Sequence, residues 1–349
     1  MNKESKKVDI SYIAKISGFS LSTVSRALCG DKTTKKDTAE KILKIAKDLN
    51  YVPDLIAKGL RQKRTRTIGV ILNDPNNPFH SEILKVIDEI LTENNYSMIV
   101  SYSNWNLDLE NKNIITLVSK RVDGIIISPI FEKDKNLNTL IDNQIEFVVI
   151  DCLSKFPKIN NVYTDNLLAG EIATEHLIEN GHKKIMLFTF TKKYSQVKDF
   201  EQGYIQALKK HNINIINELI IDSPVNSIDS GHDTFLKAFS GNIKEINQNF
   251  TGIVTISDLL AVGIYEAANE LGISIPGTLS IVGYDNIRFS KSLNPPLTTV
   301  HQPRRRIGLE SAQILLNNIN NEEKIIKNTK FTPYLIKRGS VRNINLTIS

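Results

Sequence analysis

The stretch Ile13-Ala14-Lys15-Ile16-Ser17-Gly18-Phe19-Ser20-Leu21-Ser22-Thr23-Val24-Ser25-Arg26-Ala27-Leu28 decides the reading of this chain. Two short amphipathic helices meet at Gly18, which supplies the turn. Ala14 lets the second helix approach the first. Ser20 is a good N-cap and aims that helix's N-terminus outward. Leu21, Ser22 and Arg26 then share an outer face, with Val24, Ala27 and Leu28 on the inner one. This is helix-turn-helix logic: residues on the outer face can reach base edges in a major groove. Arg26 suits bidentate contact with guanine, worth about 1–3 kcal/mol of discrimination. Thr23 and Ser25 are placed to bond phosphates, and Leu21 to meet thymine methyls. An ordinary helical hairpin with a solvated polar face would show the same spacing.

On either side, Ile10 to Ile16 forms the first helix of a three-helix head. Ala39, Ile42, Leu43, Ile45, Ala46 and Leu49 form the third, with Thr33 or Thr34 as its expected cap. Residues 1–66 carry sixteen Lys/Arg against seven Asp/Glu, whereas the other residues carry 28 against 31. A basic head on a mildly acidic body points to a polyanion at one end only. Past Thr67 the pattern changes to β-rich runs alternating with amphipathic segments. The runs are Thr67–Leu72, Ser97–Ser101, Gly124–Ser128, Phe147–Ile150, Lys184–Phe190, Gly252–Ile256 and Ser280–Gly283. Strand-helix repetition on this scale predicts an α/β core of two doubly wound lobes with a cleft between them.

Composition excludes several classes. The chain has 349 residues, 41% hydrophobic, and two cysteines far apart, Cys29 and Cys152. No disulfide framework, metal site or cofactor is expected. No apolar run approaches the roughly 18 residues that cross a bilayer, and the polar N-terminus lacks an h-region. The expected location is the cytoplasm. An enzyme is disfavoured: there is no Gly-x-Gly-x-x-Gly loop, P-loop or Gly-x-Ser-x-Gly elbow.

The head and linker resemble the lac-repressor family of bacterial regulators. The matching stretches are Ala14 to Ser20, Thr23 to Leu28, Leu49-Asn50-Tyr51-Val52-Pro53 and Thr67-Ile68-Gly69-Val70. The likeness continues through Asn77-Pro78-Phe79, Val122 to Ile126, Asp165-Asn166, Asn180-Gly181-His182, Ser280 to Asp285, Pro296 to Val300 and Arg338-Gly339-Ser340. It implies a transcription regulator with a DNA-binding head (1–53), a hinge and linker (54–65) and a core (66–349) similar to periplasmic sugar-binding proteins. The lobes would comprise 66–163 with 301–328, and 164–300 with 329–349. Tyr51 joins the DNA-contacting set. The resemblance makes residues 54–61 a hinge helix ordered on operator DNA, with Ala57 as its small residue and Leu60 as its minor-groove wedge. Asp54 departs from the usual asparagine there, and Gly59 costs about 1 kcal/mol of helix propensity.

In such a core the ligand sits at the carboxyl ends of the strands. Phe79, Ser128, Asp151, Ser257 and Asp285 fall there, although each Asp or Ser could be a cap or turn former. Phe200 stands three residues before Gly203-Tyr204, where the family usually carries an arginine that clamps the ligand. A phenylalanine could stack on a ring instead, which implies an uncommon effector, weak binding, or an empty cleft in a regulator controlled by a protein partner. The expected partners are a palindromic double-stranded operator, a sugar or related metabolite, and a second copy of the chain. Arg304-Arg305-Arg306 reads as a basic run at a subunit interface or cleft rim, or as a solvated edge. Ile83, Val86, Ile87 and Ile90 read as a dimer face or as core cover. Only nine residues follow Ser340, too few for a tetramerising coiled coil, so a dimer is expected.

Overall fold

The computed structural model describes residues 8–31, 33–52, 64–131, 135–191, 194–238, 250–321, 323–324 and 326–345. The predicted hinge, with Ala57 and Leu60, lies outside the described residues. The chain divides into two units, Met1–Arg66 and Thr67–Ser349.

The first unit holds α1 (Ile10–Ser17), α2 (Leu21–Leu28) and α3 (Lys36–Asp48). Asp9 caps α1 by accepting from the Tyr12 amide, and Gly18 ends it at φ +71°, a conformation that costs glycine little. Ser20 caps α2 through the Thr23 amide. Ile13, Val24, Ala27, Ile42 and Ala46 meet in a small core, with Phe19, Leu28, Leu49 and Tyr51 packed against it. The cap of α3 differs from expectation. Lys35 holds that position without a side-chain bond, because the Asp31 carboxylate takes both the amide and the hydroxyl of Thr33.

The second unit contains two six-stranded sheets. The first is built from β1 (Thr67–Leu72), β2 (Ser97–Tyr102), β3 (Gly124–Ile127), β4 (Glu146–Ile150) and β5 (Asn160–Thr164). Between its strands run α4 (Pro78–Glu93), α5 (Leu107–Ser119) and α6 (Leu137–Asp142). The chain then crosses to the second lobe: α7 (Asn166–Glu179), β6 (Ile185–Phe190), α8 (Ser195–Lys210), β7 (Ile220–Ser223), α9 (Ile228–Ala238), β8 (Gly252–Thr255), α10 (Asp258–Glu270), β9 (Ser280–Asp285) and β10 (Thr298–His301). It returns for α11 (Arg304–Asn320) and β11 (Asn328–Phe331), and ends with β12 (Tyr334–Ile336) in the second sheet. The orders are β11-β5-β4-β3-β1-β2 and β12-β10-β9-β8-β6-β7. Pairing is parallel except for β12 against β10.

Thus the chain passes between lobes three times. The last two passages fall a few residues later than 300/301 and 328/329. β10 completes the second sheet through His301 before the chain leaves it. β11 pairs with β5, Asn328 opposite Asn161, before it leaves the first. The sequence pattern hides β5 because it opens with two asparagines. Both are buried and spend their amides inside the fold: Asn161 donates to Asn328 Oδ1 at 2.7 Å, and Asn160 accepts from the Lys327 amide.

Ile83, Val86 and Ile87 are core cover rather than a free face. They are 0–4% exposed, and α4 packs closely on α11, where a Cβ on Gly308 would come within 2.8 Å of the Ile83 carbonyl.

Candidate nucleic-acid interface and interlobe cleft

In the head, Ser20, Leu21, Ser22 and Arg26 all lie on the exposed side of α2, with Leu21 49% exposed. An apolar side chain left this open at a helix N-terminus suits contact with a thymine methyl. The Ser20 hydroxyl is tied to those of Ser22 and Thr23, at 2.9 and 2.8 Å. Thr23 is half-buried. Ser25 does not fit the role of a phosphate contact: it is 3% exposed. The eight residues of α2 pack on both α1 and α3, so the buried arc widens beyond Val24 and Ala27 to include it. Tyr51 is half-buried, its ring packed on the head core and its amide bonded to the Ala46 carbonyl.

Within the second unit a cleft of about 470 Å³, mouth included, separates the two lobes. From the first lobe Asn77, Phe79, His80, Trp105 and Asp151 face it. From the second come Asn166, Phe190, Tyr284 and Asp285, with Gln302 at the crossing.

Of the six residues expected in the cleft, Phe79, Asp151 and Asp285 line it. Ser128 stands behind Asp151, at the end of a buried chain: Ser103 donates to Asn73, Asn73 to Ser128, and Ser128 to Asp151. Ser257 is the N-cap of α10, accepting from the Leu259 amide at 3.1 Å, and is 1% exposed. Phe200 is fully buried in the second lobe's core, its ring 5.1 Å from that of Tyr284. The cause is the contact between α7 and α8. A Cβ on Gly203 would fall 1.9 Å from the Leu167 carbonyl oxygen, and one on Gly170 would fall 2.1 Å from that of Phe200. With the helices this close, the side chain at 200 points into the core. It is neither a clamp nor a stacking platform.

Residues missed from the sequence follow the strand-end rule used for the others. Trp105 and Phe190 follow or end β2 and β6, and Tyr284 precedes Asp285 in β9. Only their exposure to the cleft was illegible, because apolar rings at strand ends read equally well as core.

The two aspartates hold unusual backbones, φ +71° at Asp151 and +112° at Asp285. Such conformations cost about 1–3 kcal/mol and gather at sites of function. Burial raises the pKa of both, that of Asp285 well above the ordinary carboxylate value. His80 and the Ser128 bond oppose the shift at Asp151, and Gln302 and Arg304 oppose it at Asp285. Arg304 is 7% exposed, neither an open rim nor a solvated edge. Its guanidinium binds Glu82 at 2.7 Å and the carbonyls of Asp285 and Asn286, bracing the second lobe's Asp285 against α4 of the first. Arg306 lies over the Phe331 ring, and Arg305 is exposed near Glu89.

The lining is rich in acceptors. Besides the two carboxylates, it includes Asn226 Oδ1 and Gln302 Oε1, which are buried without a hydrogen-bond partner. No Lys or Arg occurs among the described residues that line it. Such a surface fits a ligand rich in donors and without negative charge.

Comparison with known proteins gives a consistent result. Residues 9–54 match the profile of "Bacterial regulatory proteins, lacI family", and residues 65–339 match that of "Periplasmic binding proteins and sugar binding domain of LacI family". The chain is 30% identical to the ribose operon repressor of Haemophilus influenzae, over 95% of this chain and 98% of that protein. It is 29% identical to the repressor PurR of Vibrio vulnificus, over 96% and 99%. Among solved structures, a LacI family regulator of Enterococcus faecium with bound ribose is similar at TM-score 0.71 and 29% identity, covering 80% of this chain and 99% of that one. A lac repressor dimer bound to operator shares the fold at TM-score 0.82 and 24% identity, covering 97% and 100%.

Proposed function

The chain belongs to the LacI family of bacterial regulatory proteins, and on that premise we propose that it represses transcription as a dimer on a palindromic operator, under the control of a neutral sugar held in the interlobe cleft. The functional division is a DNA-binding head (1–53), a hinge and linker (54–65) and a sensing core (66–349). The working location is the cytoplasm, where the DNA is. No described helix is long and apolar enough to cross a membrane. One head reads only a few base pairs, so two heads about one DNA turn apart supply the specificity. Sedimentation at micromolar protein showing a tetramer would overturn the dimer.

The observation that carries the effector class is the acceptor-rich lining, with no lysine or arginine among its described residues. Sugar hydroxyls donate to Asp151, Asp285, Asn226 and Gln302. The faces of Phe79, Trp105 and Phe190 cover the apolar side of the ring. A sugar phosphate would bring its charge into a buried lining whose described residues include no lysine or arginine to meet it. The similarity to ribose repressors, and to a regulator with bound ribose, supports a pentose-sized ligand.

Calorimetry of the full chain against D-ribose, other pentoses and hexoses, and the matching phosphates tests this. A neutral sugar should bind, and its phosphate should bind at least about tenfold more weakly, since every 1.4 kcal/mol of uncompensated desolvation is a factor of ten. Tighter binding of a phosphate would refute the assignment. On DNA, Arg26→Ala should lose about 1–3 kcal/mol of preference for operator over random duplex in fluorescence anisotropy. An equal loss on both duplexes would make Arg26 a phosphate contact.

A further inference from the structure

Two of the rings that face the cleft, Trp105 and Phe190, also touch across it. Trp105 lies between β2 and α5 of the first lobe, and Phe131 follows β3 of the same lobe. Phe190 ends β6 and Tyr194 precedes α8, both in the second lobe. The Trp105 and Tyr194 ring centroids are 4.4 Å apart. Trp105 meets Phe190 edge-on at 5.8 Å, and Phe131 stacks on Tyr194 at the same distance. Phe190 and Tyr194 contact one another at 5.8 Å. Trp105 and Phe131 thereby pack against the second lobe's core, of which Ile130 is a full member.

Both first-lobe rings are held in place from behind. The fully buried Glu110 accepts from the Ile130 amide and from Asn136 Nδ2, each at 3.0 Å, and so fixes the loop that carries Phe131. Asn104 and Trp105 occupy left-handed backbone, φ +48° and +58°, before Asn106 caps α5. A tryptophan adopts that conformation only where its surroundings enforce it. The strain turns the indole toward the other lobe.

We propose that these four rings form a clasp by which the protein closes its own cleft, so that an effector enters and leaves through a protein gate. The contacts are between side chains of the chain itself and need no ligand atom. Aromatic pairs add about 0.5–1.5 kcal/mol each beyond their buried area, enough to bias an equilibrium between lobe angles. The effector then acts on lobes already drawn together. Its association and release are both limited by opening of the clasp. The functional meaning rests on the cleft being the effector site, but the clasp itself can be tested with no effector present.

Trp105 is the only tryptophan in the sequence, so its fluorescence in the full-length protein reports on the clasp. With no sugar added, acrylamide should quench it at least about twofold more slowly than in the urea-unfolded chain, as expected for a ring held against others. Tyr194→Ala should bring the quenching rate most of the way to the unfolded value, and Tyr194→Phe, which keeps the ring, should leave it at the wild-type value. Phe131→Ala acts from the opposite lobe, through the Tyr194 ring on which Phe131 stacks, so a faster quenching rate there points to loosening of the whole cluster. It also decides the matter if Tyr194→Ala fails to fold by circular dichroism. The proposal is overturned if wild-type Trp105 is quenched as fast as in the unfolded chain, or if the folded alanine variants leave its quenching unchanged. Either result would leave the sugar assignment standing, since calorimetry tests that separately.

Discussion

Phe200 shows where one residue's chemistry is misread without its packing. At a position where a charged clamp belongs by resemblance, an aromatic ring invites a stacking role. The ring is instead 0% exposed against Tyr284. The residue type was legible, but the direction of the side chain was not, because direction is set by how closely α7 and α8 approach. Restoring the arginine is therefore expected to fail as a gain of function. Phe200→Arg should bury an unpaired charge and cost several kcal/mol of stability, whereas Phe200→Ala should cost about 3–5 kcal/mol. Urea unfolding followed by circular dichroism checks both. A stable Phe200→Arg protein with tighter sugar binding would show that the side chain can swing into the cleft. The aspartates were easier to foresee. Asp151 and Asp285 sit at the ends of β4 and β9, where the strand-end rule puts them. Ser128 and Ser257 obey the same rule in sequence but spend their hydroxyls on a buried chain and a helix cap.

Among the elements, long amphipathic helices and β-branched strands such as β1 and β3 were legible from periodicity, since one pattern of burial accounts for them. Short or polar elements were not. β5 begins with Asn160 and Asn161, and β10 to β12 are three or four residues each, too brief to carry a period. They exist because of partners distant in sequence. The contact between α7 and α8 is of the same kind. It rests on Gly170 and Gly203, and each lets a backbone approach where a methyl group would overlap a carbonyl. Gly203→Ala should thus destabilise the second lobe by more than the 0.5–1 kcal/mol that alanine normally gains over glycine in a helix. A thermal melt that shows Gly203→Ala unchanged or stabilised would mean that the helices can separate without loss.

At the scale of the molecule, two buried groups act against each other as pH changes. Burial raises Asp258 to about 6 despite its bonds from Ser290, Thr299 and the Ile287 amide. The folded state therefore keeps a proton there that the unfolded chain gives up near 4. This stabilises the fold at acid pH, and the gain is lost as pH rises through 6. Burial lowers His176 to about 4, with Lys337 and His182 contributing. Here the unfolded chain takes the proton first, near 6.5, so stability is lost as pH falls from 6.5 toward 4. The two effects share a window and have opposite signs. His176→Gln should remove one of them. With each protein referred to its own pH 7 value, the variant should be more stable than wild type at pH 5 by about 1–2 kcal/mol, read from urea midpoints. Parallel pH profiles would show that His176 is not held neutral. The three passages between lobes bear, finally, on how the protein is made. Five strands of the first sheet leave the ribosome early, but β11, which covers the edge of β5, comes much later; 167 residues separate Asn161 from its partner Asn328. At typical synthesis rates of about 5–20 residues per second, that edge waits for roughly 8–30 s. An uncovered strand edge is where nascent chains join one another. A burst of synthesis should therefore endanger the first lobe before it endangers the second, and the buried asparagines of β5 are a poor invitation to a stranger strand.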